Sequence, residues 1–148
     1  RAYTDGVLDP NWSARDPSYF VFAVVRNPFD RLISSWKYLP AYRKKNLAEV
    51  LKNPPMEGHD FRHLTRPQIA ILKDPATGKL VVDDLIRFEA LQEDFDRICD
   101  KVGKPRVQLP HKNWSWRWSG YQGYFDDGTR KLATEMFAED LEVFGYRF

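Results

Sequence analysis

Arg26 and Ser34 are the two residues of this 148-residue chain whose types and spacing best suit chemistry on a phosphate. Arginine carries a permanently charged planar fork that grips phosphate oxygens bidentately. Serine adds a small hydroxyl donor. Arg26 directly follows the apolar run Tyr19 to Val25 and directly precedes Asn27-Pro28, a helix cap and a first-turn proline. In open α/β sheets, ligands bind beyond the carboxyl ends of strands, where the next helices begin. Ser34 lies eight residues after Arg26, about two turns into the helix at 3.6 residues per turn. It would therefore meet a phosphate along the flank of the helix, with Arg26 on the other side and free helix amides near by. Spacing alone equally allows an ordinary helix start, with the arginine paired to an acid and the serine facing solvent.

The elements that must position these residues follow from the hydrophobic pattern. Tyr19 to Val25 is continuously apolar, as expected of a strand buried on both faces. Phe29, Leu32, Ile33, Trp36 and Leu39 then recur at helical spacing. Asn46 to Lys52 reads as a short helix stopped by Pro54-Pro55. Residues 53–65 read as a loop, Arg66 to Leu72 as another short helix, and Asp74 to Lys79 as a turn. A second strand is expected over Val82 to Phe88, followed by a helix from about Ala90 to Val102 that Gly103 ends. Thr129 to Phe144 reads as one last helix, capped by Gly145. Buried strands alternating with amphipathic helices predict an α/β layered fold and one domain over residues 1–148.

Composition narrows the partners. Lys plus Arg is 23 and Asp plus Glu is 21, a net charge of +2, so any anion site rests on local placement and not on bulk charge. The single cysteine excludes an intrachain disulfide framework and a multi-cysteine zinc site. Cys99 sits beside the apolar face of its helix and reads as a small buried residue. The apolar run at 19–25 is far too short to cross a bilayer, and no signal-peptide pattern opens the chain. His59 and His63 would be a metal pair only on a helix. Pro54-Pro55, Gly58 and Asp60 point instead to a loop with exposed histidines, and no metal is expected. Lys37 and Arg43-Lys44-Lys45 read as a solvated face able to guide an acidic glycan.

The segment Arg26-Asn-Pro-Phe-Asp-Arg-Leu-Ile-Ser34-Ser-Trp36 resembles the 3′-phosphate-binding motif of the sulfotransferases, in the form used by their carbohydrate branch, Golgi-type and bacterial. Thr65-Arg-Pro-Gln68, Leu85-Ile-Arg-Phe-Glu89-Ala-Leu91 with Asp94-Phe95, Leu109-Pro-His111-Lys-Asn113-Trp-Ser115 and Phe137 to Tyr146 resemble that branch in the same order. The likeness runs from about Tyr19 to the C-terminus. It implies a P-loop-like three-layer αβα fold and transfer of a sulfuryl group from 3′-phosphoadenylyl sulfate (PAPS) to a hydroxyl or amine of a carbohydrate or similar acceptor. By the same resemblance Arg26 and Ser34 hold the 3′-phosphate, and Lys112, Asn113 and Ser115 fall in the late loop that closes over the nucleotide. Glu89 reads as structural, because a carboxylate at a helix start is stabilising by itself.

Sulfotransferases also carry a strand and a turn with lysine and serine or threonine that grips the 5′-phosphosulfate, and commonly a histidine or glutamate base. Both tend to precede the arginine–serine motif, and residues 1–25 match neither. The chain is therefore expected to carry the C-terminal part of the domain, with a raw sheet edge where the first strand belongs, and no catalytic residue is assigned. A non-catalytic relative that keeps a nucleotide or polyanion pocket is the alternative. A single-strand nucleic-acid groove built from Trp114, Trp116 and Trp118 with Lys112 and Arg117 ranks last, so no nucleic-acid partner is expected. The lone cysteine leans towards a bacterial cytoplasmic protein, with the Golgi lumen as the setting in a eukaryote.

Overall fold

The chain divides into two compact units, each taking two stretches of sequence: Arg1–Arg26 with Ile71–Ser115, and Asn27–Ala70 with Trp116–Phe148. A computed structural model describes residues 18–110 and 120–148 in full and residues 3–4 and 7–8 by their backbone. It holds both helices and strands, including a small parallel sheet, in keeping with the α/β class.

In the first unit, β1 (Tyr3–Thr4) and β2 (Val7–Leu8) form an antiparallel pair. β3 (Phe22–Val25) pairs in parallel with β4 (Asp84–Arg87), and the register runs from Phe22 opposite Asp84 to Val25 opposite Arg87. Parallel neighbours need a long crossover, and here the chain from 26 to 83 supplies it. A 3₁₀ turn, Phe88–Ala90, leads into α5 (Leu91–Lys101). Gly103, at φ +66°, ends that helix as expected, with the Lys104 amide bonded back to the Cys99 carbonyl at 2.8 Å. Cys99 is buried. Arg97 of α5 locks onto β4: it bonds Asp84 at 2.6 Å, the Leu85 carbonyl at 2.9 Å and Asp94 at 3.1 Å.

The second unit is helical: α1 (Pro28–Tyr38), α2 (Leu47–Lys52), α3 (Gly58–Asp60) continued by a π-helical turn (Phe61–Thr65), then α6 (Asp127–Met136) and α7 (Ala138–Phe144). α4 (Ile69–Leu72) lies where the two units meet in sequence. Phe29, Leu32 and Ile33 of α1, Leu47, Val50 and Leu51 of α2, Leu64, Ala133 and Phe137 share one core. Phe29 is its aromatic hub, edge-on to Phe148 at 5.0 Å and to Phe125 at 5.6 Å. α1 stops at Leu39, because the following Pro40 disfavours helical backbone at the residue before it.

Three expectations are corrected. The run 19–25 is not buried on both faces: side chains alternate along β3, and the face carrying Phe22 and Val24 is open to solvent. Residues 58–65 are helical, not loop, because Gly58 takes φ +76° and turns the chain into a helix after the proline pair. The helix expected over 129–144 is two helices broken at Phe137, whose ψ of 21° ends α6 and starts α7. The break buries the Phe137 ring fully and turns Asp140 inward, where its carboxylate accepts from the Gln68 amide at 2.8 Å and the Ile69 amide at 2.8 Å. An unbroken helix satisfies neither.

Candidate functional site

Arg26 is the residue immediately after β3. The register that pairs Val25 with Arg87 brings the next residues, Arg26 and Phe88, side by side as they leave the ladder. The Arg26 guanidinium carbon sits 4.3 Å from the centre of the Phe88 ring. Such a cation–π contact holds a charged head in place for about 0.5–1 kcal/mol. Phe88 escaped the sequence analysis, although two aligned strand ends are a signal that finds it. Glu89, one residue on, lies in the first turn of the 3₁₀ segment, in keeping with a structural role.

In the second unit, Asn27 caps α1 as its sequence predicts: its Oδ1 accepts from the Phe29 amide at 3.0 Å. Its Nδ2 donates to the Tyr121 hydroxyl at 3.2 Å and to the Arg147 carbonyl at 3.0 Å, so one buried side chain ties the helix start to the C-terminal segment. The cap therefore occupies one of the first-turn amides. Pro28 has no N–H, Phe29 is capped, and the Arg31 amide bonds the Asn27 carbonyl at 2.9 Å.

Ser34 is half-buried on α1, and its hydroxyl has no hydrogen-bond partner among the described residues. Its neighbour Ser35 is engaged: Oγ donates to the His63 carbonyl at 2.8 Å. Arg31, one turn earlier, donates to the Arg66 carbonyl at 2.5 Å and the His63 carbonyl at 3.4 Å. These bonds answer carbonyls at the end of the π-helical turn and fasten it to the helix that carries Ser34. Ser34 is thus a hydroxyl left available on a helix held from both sides. Lys112, Asn113 and Ser115, with the tryptophans of that loop, lie outside the described residues.

The basic and histidine residues resolve into distinct roles. Lys37 bonds the Tyr124 hydroxyl, with its ammonium also 4.0 Å from that ring centre, and Lys45 lies 5.0 Å from the Tyr42 ring centre. His59 and His63 stack at 4.3 Å between ring centres. Partial desolvation holds the pKa of His63 below its ordinary value, helped by the positive charge of His59, Arg62 and Arg31. On β4, Asp84 is held down to about 2, chiefly by its bond from Lys101, then by the Leu85 amide and Arg97. Among the described residues no three His, Cys, Asp or Glu side chains gather to hold a metal ion, and no helix is long and apolar enough to cross a membrane.

The family model described as "Sulfotransferase family" matches residues 9–147. The chain belongs to the sulfotransferase family. Its curated-protein and solved-structure comparisons found no match. Membership makes the chain part of a transferase family.

Proposed function

We propose that this chain takes part in transfer of a sulfuryl group from PAPS to a hydroxyl of a carbohydrate or similar acceptor, and that Arg26 and Ser34 bind the 3′-phosphate of the nucleotide. The carrying observation is Arg26, set directly beyond the carboxyl end of a parallel strand and held there by the Phe88 ring. Family membership over nearly the whole chain supports the reaction class. The P-loop-like three-layer architecture, the PAPS donor and the carbohydrate acceptor are parts of the same proposal.

PAPS supplies an activated sulfuryl group on its 5′-phosphate. This chain's contribution is to bind and orient the other end of the nucleotide. Arg26 offers two parallel N–H donors to the dianion and offsets its charge, which selects a 3′-phosphorylated nucleotide over one with a bare 3′-hydroxyl. Ser34 adds one neutral hydrogen bond from the helix flank. Binding energy gathered so far from the reacting sulfur can be spent on holding it in line with the acceptor oxygen. Lys112, Asn113 and Ser115 are proposed as further nucleotide contacts.

The test is calorimetric titration of the full chain with 3′-phosphoadenosine 5′-phosphate and with adenosine 5′-phosphate. Preference for the bisphosphate, lost in Arg26→Ala, supports the assignment. Equal affinity for the two nucleotides, or a bisphosphate affinity indifferent to Arg26, overturns it.

A further inference from the structure

His59 and His63 take no part in the nucleotide site proposed above, yet the fold brings them together on one turn. Gly58 starts a helical segment, Gly58–Asp60, that passes into the π-helical turn Phe61–Thr65, closed by the Arg66 amide on the Phe61 carbonyl at 2.8 Å. An α-helix offsets residues four apart by about 40°. The wider π turn changes that offset, and π turns are rare features found often at functional sites. The outcome is two exposed imidazoles with ring centres 4.3 Å apart and planes tilted by 43°.

We propose that His59 and His63 chelate one exchangeable divalent transition-metal ion of the imidazole-preferring class, Zn²⁺, Ni²⁺ or Cu²⁺. Two imidazoles bound to one ion at about 2.0–2.1 Å, with roughly 90–110° between the bonds, place their ring centres roughly 4.5–5 Å apart. The observed spacing of 4.3 Å is close to that separation. His59 already shows the outer-shell arrangement typical of ligating histidines: its Nδ1 lies 3.1 Å from Asp60 Oδ1, which orients the ring and leaves Nε2 for a metal. His63 has no ring hydrogen bond among the described residues, and its backbone is anchored by Ser35 and Arg31 through its own carbonyl.

Charge sets the strength of the site. Arg62 and Arg31 oppose a cation near His63, while Asp60 favours one. With two protein ligands, water completes the coordination shell and the ion exchanges readily. Softness and geometry select nitrogen-loving ions over Mg²⁺ or Ca²⁺, which take oxygen ligands.

The third histidine of the chain, His111, provides an internal control. The experiment is titration of the full chain with Zn²⁺ and with Cu²⁺, followed by calorimetry and by paramagnetic broadening of imidazole NMR signals. The expected result is saturable one-to-one binding with a Kd below about 1 mM. His59→Ala and His63→Ala should each weaken it by about tenfold or more, and His111→Ala should leave it unchanged. Substoichiometric Cu²⁺ should broaden the His59 and His63 signals before that of His111, a readout in the unmutated chain. His63→Gln repeats the test with a side chain that keeps polarity and bulk. Absence of saturable binding, parental affinity in either the His59 or the His63 variant, or loss of binding in His111→Ala overturns the proposal.

Discussion

Arg26 rests its guanidinium on the Phe88 ring, 4.3 Å from carbon to ring centre, and the parallel register of β3 and β4 is the cause. Because Val25 faces Arg87, the two chains leave the sheet in step, and the first residue past each end meets the other. An aromatic face attracts a cation through its quadrupole and so steadies the guanidinium. The contact fixes the charged head just beyond the carboxyl end of β3.

Replacing Arg26 with alanine should lower affinity for 3′-phosphoadenosine 5′-phosphate by roughly 10- to 100-fold, the value of a charge-assisted, bidentate contact. Arg26→Lys should fall between, because an ammonium supplies the charge without the planar fork. Phe88→Leu keeps the bulk and removes the π face, so a loss of about 2- to 5-fold is expected. Calorimetry on the three variants ranks them, and an Arg26→Lys protein indistinguishable from the parent argues against bidentate binding.

Ser34 and Ser35 are neighbours in sequence with opposite expected phenotypes. Ser34→Ala removes a hydroxyl that bonds nothing described, so Tm should hold while nucleotide affinity drops by about 2- to 10-fold. Ser35→Ala removes the 2.8 Å bond to the His63 carbonyl, at a cost of about 1 kcal/mol in stability with nucleotide affinity little changed. Thermal melts run beside calorimetry separate the two effects. A Ser34→Ala protein that melts early without losing affinity defeats the assignment.

Asp140 is a fully buried carboxylate whose described partners are amides: Gln68 N at 2.8 Å, Ile69 N at 2.8 Å and Gln68 Nε2 at 3.3 Å. It thereby caps α4 from a distant part of the chain. Asp140→Ala strands two backbone donors and opens a cavity, so urea unfolding should show a loss of about 3 kcal/mol. Asp140→Asn keeps one acceptor oxygen and should lose less. Equal losses for the two variants point to the carboxylate's hydrogen bonds, and not packing, as the larger contribution.

Local rules made much of this legible. Asn27-Pro28 announces a capped helix, and the apolar stripe from Phe29 to Leu39 gives its length and buried face. Gly103 and Gly145 end their helices at positive φ, as their positions imply. What escaped depends on contacts distant in sequence. The break at Phe137 has no proline or glycine to mark it, and is set by burial of that ring and by Asp140 reaching Gln68 and Ile69. The helical turn at 58–65 was masked by Pro54-Pro55 and Gly58, which favour loops locally, whereas Arg31 and Ser35 of α1 supply partners for its terminal carbonyls. Type and spacing single out Arg26 and Ser34 in the sequence, whereas the contact of Phe88 with Arg26 becomes visible only through strand register.

Asp84 carries the expected acid response of the first unit. Lys101 and Arg97 both bond its carboxylate, and its pKa is lowered from 3.8 to about 2. The unfolded chain, lacking these partners, takes up the proton first as pH falls. Stability from this group is therefore complete above about pH 5 and is lost as pH drops through 4 towards 2. The Asp84 side chain is 15% exposed, but those of Arg97 and Lys101 are 40% and 49% exposed, so solvent screening reduces the contribution to about 1 kcal/mol. Asp84→Asn should lower stability at pH 7 by about that amount and flatten the decline between pH 5 and pH 2. Urea midpoints measured across that interval for both proteins provide the check, and parallel curves for parent and variant rule out Asp84 as the group responsible.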